Sequence, residues 1–112
     1  MKIAIPVTNG KLSLHFGHCE QFAIFDVDLD NKKITEQDML IPPAHEPGVL
    51  PQWLSGLQVK LVIAGGMGQR AQQLFAQNNI ELIVGAVDTT PKELLEQYMN
   101  NELQTGQNIC DH

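Results

Sequence analysis

The stretch LVIAGGMGQRAQQLFAQNNIELIVGA, residues 61–86, has the pattern of a strand, a glycine-rich turn, a helix and a second strand. Its first four residues are all apolar, which is typical of a strand buried on both faces. The apolar side of the helix consists of Ala71, Leu74 and Phe75. A unit of this kind predicts two parallel strands, the second over residues 80–86, joined by a right-handed crossover.

Three further strands are predicted upstream of this unit. Residues 2–8 alternate in hydropathy and end at an Asn-Gly turn signal. Residues 21–29 alternate apolar with acidic side chains, and a short turn then leads into a more polar strand at about residues 33–40. The charges of that third strand suit the edge of a sheet. Residues 11–20, between the first two strands, are expected to form a loop.

Two more helices are predicted. The first is short and follows the proline-rich residues 42–48, because its apolar positions extend only over residues 50–57. The second begins at Thr90-Pro91-Lys92-Glu93, a capping box with proline at the first helical position. It is expected to continue for about 13 residues and to be ended by Gly106. Its apolar face consists of Leu94, Leu95, Tyr98, Met99 and Leu103.

The order of these elements, three strands followed by alternating helices and strands, predicts an α/β fold. The simplest arrangement is one mixed five-stranded sheet with helices on both faces, in which the second strand opposes the other four. The 112 residues suffice for a single domain. The loops at 9–20 and 41–48 and the glycine turn at 65–68 would then emerge at one edge of the sheet, where ligand sites of open α/β sheets gather.

The composition excludes several classes of function. Seven Lys and Arg residues against thirteen Asp and Glu residues give a net charge of −6, which disfavours a nucleic-acid partner. The longest apolar runs fall far short of the roughly 20 residues of a membrane span. The first residues also lack the long apolar region of a signal peptide. We therefore expect a soluble, cytoplasmic protein that binds neither nucleic acid nor a membrane.

A group of histidines and cysteines occupies the loops expected at that edge and the C-terminal tail. Its members are His15, His18, Cys19, His45, Cys110 and His112. The tail, when extended, is long enough to return its two members to the same edge. Imidazole and thiolate groups are ligands of soft and borderline metals, so the group predicts a metal site. A structural zinc site and a redox module with a disulfide between the two cysteines stay open as alternatives, although no CxxC or HxxxH spacing supports zinc.

The glycine turn Gly65-Gly66-Met67-Gly68 is a candidate anion site. It lies between a buried strand and a helix, so that its backbone N–H groups point outward at the positive end of the helix dipole. Arg70, the only arginine of the chain, falls in the first helical turn, where the dipole opposes it. An anion bound beside the turn would explain that position, and these five residues are therefore predicted to bind a cofactor.

The same turn permits an alternative function. Gly66-x-Gly68-x-x-Ala71 satisfies the dinucleotide fingerprint, and Asp88 follows the next strand at roughly the expected distance. A nucleotide-binding regulatory module would use these residues. The chain has no second nucleotide-binding half, however, and tight packing of a helix on a strand also selects such glycines.

A carboxylate nuclease is a weaker alternative. Asp26 and Asp28 share one face of the second strand, but the first strand carries no acidic residue. Metal-dependent nucleases need several converging carboxylates around their ions. A solvated sheet face accounts for the two aspartates better.

Several separated motifs occur in an order that points to one protein family. Ser13-Leu14-His15-Phe16-Gly17 is followed by Phe22-Ala23-Ile24-Phe25-Asp26 and then by residues 45–51, residues 62–68 and Gly106-x-Asn108-x-Cys110-x-His112. Together they resemble the small stand-alone members of the dinitrogenase iron-molybdenum cofactor biosynthesis family. The resemblance spans nearly the whole chain. It implies one such domain over residues 1–112, with a ribonuclease-H-like three-layer α/β/α fold and sheet order 3-2-1-4-5.

The resemblance also implies a function. Members of the family are taken to bind or carry metal–sulfur clusters, either the iron-molybdenum cofactor or related clusters of molybdenum, iron and copper, and no catalytic activity is implied. The expected partners are the cluster or its precursor and the proteins that donate or accept it, while a homodimer is left open. The cluster neighbours implied by position are His15, His45, Cys110, His112 and the turn at 65–68. His18 and Cys19 lie outside the best-matched motif positions.

Overall fold

The computed structural model describes residues 1–13, 19–43, 48–86 and 89–103. Its strands are β1 (Lys2–Thr8), β2 (Lys11–Leu12), β3 (Gln21–Asp28), β4 (Lys33–Leu40), β5 (Val59–Ala64) and β6 (Glu81–Val84). Its helices are α1 (Val49–Gly56), α2 (Gln69–Gln77) and α3 (Pro91–Met99). Each of the five expected strands and three expected helices has a counterpart here. No helix of the described residues is long and apolar enough to cross a membrane.

The strands form one mixed sheet in the order β4-β3-β1-β5-β6, with β2 paired to β1. β1, β5 and β6 are parallel, whereas β3 is antiparallel to both β1 and β4. When the five long strands are numbered along the chain, this path is 3-2-1-4-5. The α/β fold class and the expected order of the long strands are therefore confirmed, including the reversed direction of the second one.

β2 makes the sheet six-stranded, where five strands were expected and where residues 11–20 were predicted to be a loop. Leu12 of β2 pairs with Val7 of β1, and the Leu12 amide donates to the Thr89 carbonyl at 2.8 Å. β3 pairs with one side of β1 along nearly its whole length, so β2 pairs with the side that β5 also uses. β5 pairs only with the first part of β1, and β2 therefore lies beyond the end of β5. A strand of two residues carries no periodicity, so the sequence pattern could not reveal it.

The helices cover both faces of the sheet. On one face, α3 packs Leu94 and Leu95 against a cluster that includes Ile5 of β1. On the other face, α1 and α2 pack against a second cluster, here called the α1/α2 cluster. Its buried members are Ala4, Phe22, Ile24, Leu50, Leu54, Val59, Val62, Ala64, Met67, Phe75 and Ile80. This arrangement confirms the three-layer architecture.

The capping box of α3 is present, because Thr90 Oγ1 accepts a hydrogen bond from the Glu93 amide at 3.3 Å. β6 is shorter than the expected 80–86, because Gly85 adopts a φ of 89° directly after it. Leu94 and Leu95 are buried, as the predicted apolar face requires.

The end of α3 differs from the prediction. Asn101 adopts a φ of 57°, a left-handed conformation that asparagine tolerates better than most residues. The Glu102 amide then donates to the Gln97 carbonyl at 2.7 Å, as in a Schellman motif. The helix therefore ends at Met99 after nine residues, and the prediction of about 13 residues is wrong. Gly106, the predicted terminator, lies outside the described residues.

Candidate functional site

The predicted meeting of three segments at one sheet edge agrees with the strand directions. β1, β4, β5 and β6 all end at this edge, and β3 begins there. The segments that follow β1, β4 and β5 are residues 9–20, residues 41–48 and the glycine turn. They therefore leave the sheet at the same side, which is the side where open α/β sheets bind ligands.

The glycine turn is tightly held at this edge. Gly65 and Gly66 are buried, and the Gly65 carbonyl accepts from the Gly85 amide at 3.0 Å, which ties the turn to the end of β6. Met67 is 1% exposed and belongs to the α1/α2 cluster. Since its side chain is part of the core, Met67 can take part in binding only through its backbone. Its carbonyl already accepts from Gln72 Nε2 at 2.8 Å.

The N-terminus of α2 follows the turn and has the features of an anion site. Gly68 is the N-cap in an extended conformation, and the described residues supply neither a side-chain cap nor an acidic residue in the first turn. The first backbone N–H groups of a helix have no acceptor within the helix, and they carry the positive end of its dipole. Arg70 lies exposed in this first turn. By contrast, α3 supplies its own cap and Glu93 in its first turn.

The described residues on both sides of 14–18 are bound to the end of β1. The Ser13 amide donates to the Pro6 carbonyl at 2.8 Å, and the Glu20 amide donates to the Val7 carbonyl at 2.9 Å. The Asn9 amide donates to Glu20 Oε1 at 2.8 Å. Both flanks of the segment that carries His15 and His18 are thus fixed to β1. β1 is the central strand of the sheet, with two strands on each side of it.

Cys19 is the one predicted metal ligand among the described residues. It is a free, half-buried thiol that packs against the α1/α2 cluster. Burial raises the pKa of this thiol from 9.0 to about 11 by desolvating the thiolate, which outweighs a backbone hydrogen bond that lowers the pKa. Because the thiolate is the form that binds metals, a metal bound at Cys19 would have to displace the proton of this thiol.

The other five predicted ligands, His15, His18, His45, Cys110 and His112, lie outside the described residues. Within the described ranges, no group of three or more His, Cys, Asp and Glu side chains could hold a metal ion. The predicted ligand set therefore stays a prediction.

We expect the alkylation of Cys19 to follow its raised pKa. In a Cys110→Ser protein, the rate of reaction with iodoacetamide should rise with pH toward a midpoint near 11, against 9.0 for an ordinary cysteine. At pH 8 the rate should be roughly 10-fold below that of the same protein unfolded in urea, since a smaller thiolate fraction is partly offset by higher nucleophilicity. The raised pKa also makes the free energy of unfolding depend on pH. Its contribution is fully present below pH 9.0 and is lost as the pH rises toward 11. A midpoint at 9.0 would contradict the desolvation of this thiol, and a midpoint well below 9.0 would identify an activated thiolate.

Thr8 is a polar residue of this edge that the sequence pattern did not single out. Its Oγ1 atom is buried, and no described group forms a hydrogen bond with it. Thr8 is the last residue of β1, between the anchored flanks of 14–18. Only its position at the carboxyl end of a central strand could have marked it in the sequence.

The aspartates considered for a nuclease lie at the opposite end of β3. Asp28 accepts hydrogen bonds from the Asn31 side chain at 2.7 Å and from the Asn31 and Asp30 amides, and these bonds lower its pKa. Asp28 therefore closes the turn between β3 and β4. Asp26 lies 3.3 Å from the amino group of Met1. Both side chains have structural partners, as the solvated-face interpretation expects.

Comparison with known proteins identifies the family. A family model described as dinitrogenase iron-molybdenum cofactor matches residues 1–101. The chain belongs to the dinitrogenase iron-molybdenum cofactor family. This confirms the family resemblance and connects the chain with a metal cofactor, in an accessory role. The matched residues include the motifs up to residue 68, whereas Gly106-x-Asn108-x-Cys110-x-His112 lies beyond them.

Relatives of this family member include an uncharacterized protein of Methanocaldococcus jannaschii. It is 30% identical over an alignment of 109 positions, and the alignment covers 93% of this chain and 90% of the relative. The crystal structure of PH0822 superposes with a TM-score of 0.86 at 24% identity and covers 94% of each chain. The apo form of the orange protein from Desulfovibrio gigas superposes with a TM-score of 0.72 at 16% identity, over 96% of this chain and 93% of its own. At these identities the two structures show a shared fold.

Proposed function

We propose that this protein binds or carries a metal–sulfur cluster, either the iron-molybdenum cofactor or a related cluster of molybdenum, iron or copper. The observation that carries the proposal is the buried glycine turn at the start of α2, whose helix N-terminus has no cap among the described side chains. It lies at the sheet edge to which both flanks of the segment 14–18 are bound. Membership in a cofactor family supports the assignment.

The chemistry of the turn suits an anionic metal–sulfur cluster. Backbone N–H groups can hold the sulfides of such a cluster through hydrogen bonds, without a covalent bond to the metal. In the proposed site, His15, His45, Cys110 and His112 ligate the cluster or donate hydrogen bonds to its rim, with His18 and Cys19 as further candidates. Few permanent ligands suit a carrier, since a carrier must release its cargo.

The role proposed here is accessory and not enzymatic. The partners would be proteins that donate or accept the cluster, and two chains could share one cluster as a homodimer. A cytoplasmic location belongs to the same proposal, because a reduced metal–sulfur cargo fits a reducing compartment.

An anaerobic loading experiment tests the proposal. The metal-free protein is offered zinc, iron with sulfide, and tetrathiomolybdate with copper in separate samples, and bound metal and sulfide per chain are counted after gel filtration. We expect a stoichiometric, sulfide-containing chromophore in the wild type and a weaker one in His45→Ala. Gln73→Ala, on the exposed side of α2, is the control and should load like the wild type.

Other results would favour the other candidate functions. Stoichiometric zinc without sulfide would indicate a structural metal site. Failure to bind any of the three samples would contradict the cluster proposal. Saturable binding of ATP or NAD that is lost when Gly66 and Gly68 are replaced by bulkier residues would then identify a nucleotide-binding module.

A further inference from the structure

The turn between β1 and β2 consists of Asn9 and Gly10, and Asn9 is the one asparagine of the sequence that a glycine follows. Thr8 and Lys11 are register partners, so these two residues alone form the turn. Asn9 has a φ of 55° and Gly10 a φ of 78°, as in a type I′ hairpin turn. Both residues are exposed. The turn therefore presents an asparagine side chain and the following backbone amide to solvent.

The two groups are open to reaction with each other. The Asn9 backbone amide donates to Glu20 Oε1 at 2.8 Å, whereas the Asn9 carboxamide and the Gly10 amide have no hydrogen-bond partner among the described residues. A Cβ atom built at Gly10 would meet nothing within 4 Å, so the space beside this amide is open. Asparagine is a thermolabile residue, and a following glycine hinders its own nitrogen least because it has no Cβ atom.

We propose that Asn9 is a site of spontaneous deamidation whose product weakens the contact between this turn and Glu20. The Gly10 nitrogen attacks Cγ of the Asn9 carboxamide, the Cγ–Nδ2 bond breaks, and ammonia leaves with the proton of the Gly10 amide. Water then opens the five-membered succinimide ring at either carbonyl, which leaves aspartate or isoaspartate at position 9. The co-reactant is water, and no electrons are transferred. This modification goes beyond the proposed function and does not depend on it.

The product changes the charge beside Glu20. In the unmodified protein, the Asn9 amide holds Glu20 Oε1, and the Glu20 amide is bound to the Val7 carbonyl at 2.9 Å. A carboxylate at position 9 adds a negative charge close to that of Glu20, and the two repel each other. Isoaspartate also lengthens the main chain of the turn by one carbon atom. Since Glu20 belongs to a flank of residues 14–18, the modification loosens one of the contacts that fix this flank to β1.

Peptide mass spectrometry tests whether the modification occurs. The wild type is incubated at mildly alkaline pH, folded or in urea, and is then digested at acidic pH. We expect the peptide that contains Asn9 to gain the mass of one deamidation in the folded protein. The gain should be slower than in urea, because the attack requires the turn to leave its left-handed conformation. Asn9→Gly has no carboxamide and suits the same type of turn, so its peptide should keep its mass.

Asn31 is an internal control in the same digest. It is also exposed, but its Nδ2 atom donates to Asp28 at 2.7 Å and Lys32 follows it in the sequence. It should keep its carboxamide while Asn9 reacts. If the folded wild type keeps the Asn9 carboxamide while the protein in urea loses it completely, the proposal is overturned. Equal deamidation of both asparagines in the folded protein would also overturn it, because exposure alone would then decide the reaction.

A pair of variants tests the effect on Glu20. Asn9→Asp reproduces the charge of the product and should lower the midpoint temperature of thermal unfolding by about 1–5 °C. The same substitution in a Glu20→Gln protein should lower the midpoint less, because the repulsion is absent. Equal losses in both proteins would assign the effect to the turn conformation alone and would overturn the link to Glu20.

Discussion

Replacing Gly66 by valine is expected to lower the affinity for tetrathiomolybdate with copper by roughly 100-fold or more, which is the effect of losing two hydrogen bonds to a charged ligand. Gly66 is buried within the turn between β5 and α2. Under the proposed function, an anion lies close to the backbone N–H groups of this turn, and glycine is the residue that permits so close an approach. Anaerobic titration of the metal-free protein measures the change.

Two further variants separate binding from folding. Gly66→Ala should weaken binding less than valine does, because its side chain is smaller. Gly56→Ala is the matched control, since a Cβ atom there meets nothing within 4 Å, and it should bind normally. Thermal unfolding identifies any variant that has lost its fold, as overpacking in a buried site typically costs about 1–3 kcal/mol. A folded Gly66→Val protein with wild-type affinity would remove the glycine turn from the site.

Replacing Phe75 by alanine is expected to lower the free energy of unfolding by about 3–5 kcal/mol, the largest effect on stability that we anticipate. Phe75 is 0% exposed and is the buried residue through which α2 packs against the sheet. Its loss would leave a cavity between α2 and the α1/α2 cluster. Denaturant unfolding followed by circular dichroism measures the change.

Gln73→Ala is the control for this prediction as well, because Gln73 lies on the exposed side of the same helix. It should change the free energy of unfolding by no more than about 0.5 kcal/mol. A loss well below 2 kcal/mol in Phe75→Ala would mean that α2 is held mainly by other contacts. The position of the glycine turn would then not depend on Phe75.

Much of the fold could be predicted because local signals and burial agree in this chain. The apolar run at 61–64 forms the buried strand β5, and the capping box at Thr90 begins α3. The polar residues 33–40 form the edge strand β4. The two strand patterns reflect the number of faces that each strand buries, and the capping box marks the start of a helix through local hydrogen bonds.

The missed features depend on contacts that no local pattern encodes. β2 exists because two residues can pair with the end of β1 and because Leu12 can donate to Thr89, far away in sequence. α3 ends early because Asn101 accepts a left-handed conformation, a weaker signal than the glycine five residues later.

The candidate site, too, could be predicted only in part from the sequence. Strand directions place the glycine turn at the edge of the sheet where the described flanks of residues 14–18 are bound, as the sequence predicted. Whether a side chain there is exposed or packed depends on the whole fold, so the burial of Met67 and of the Thr8 hydroxyl could not be foreseen. The raised pKa of Cys19 likewise comes from desolvation by residues distant in sequence.

The attachment of residues 13 and 20 to consecutive carbonyls of β1 has a consequence for how this family could diversify. A segment whose two ends are pinned to a rigid strand can change in length or composition without moving the sheet. Under the proposed function, natural variation or deliberate grafting between Ser13 and Glu20 would be a way to change which metal species is bound while the sheet is kept.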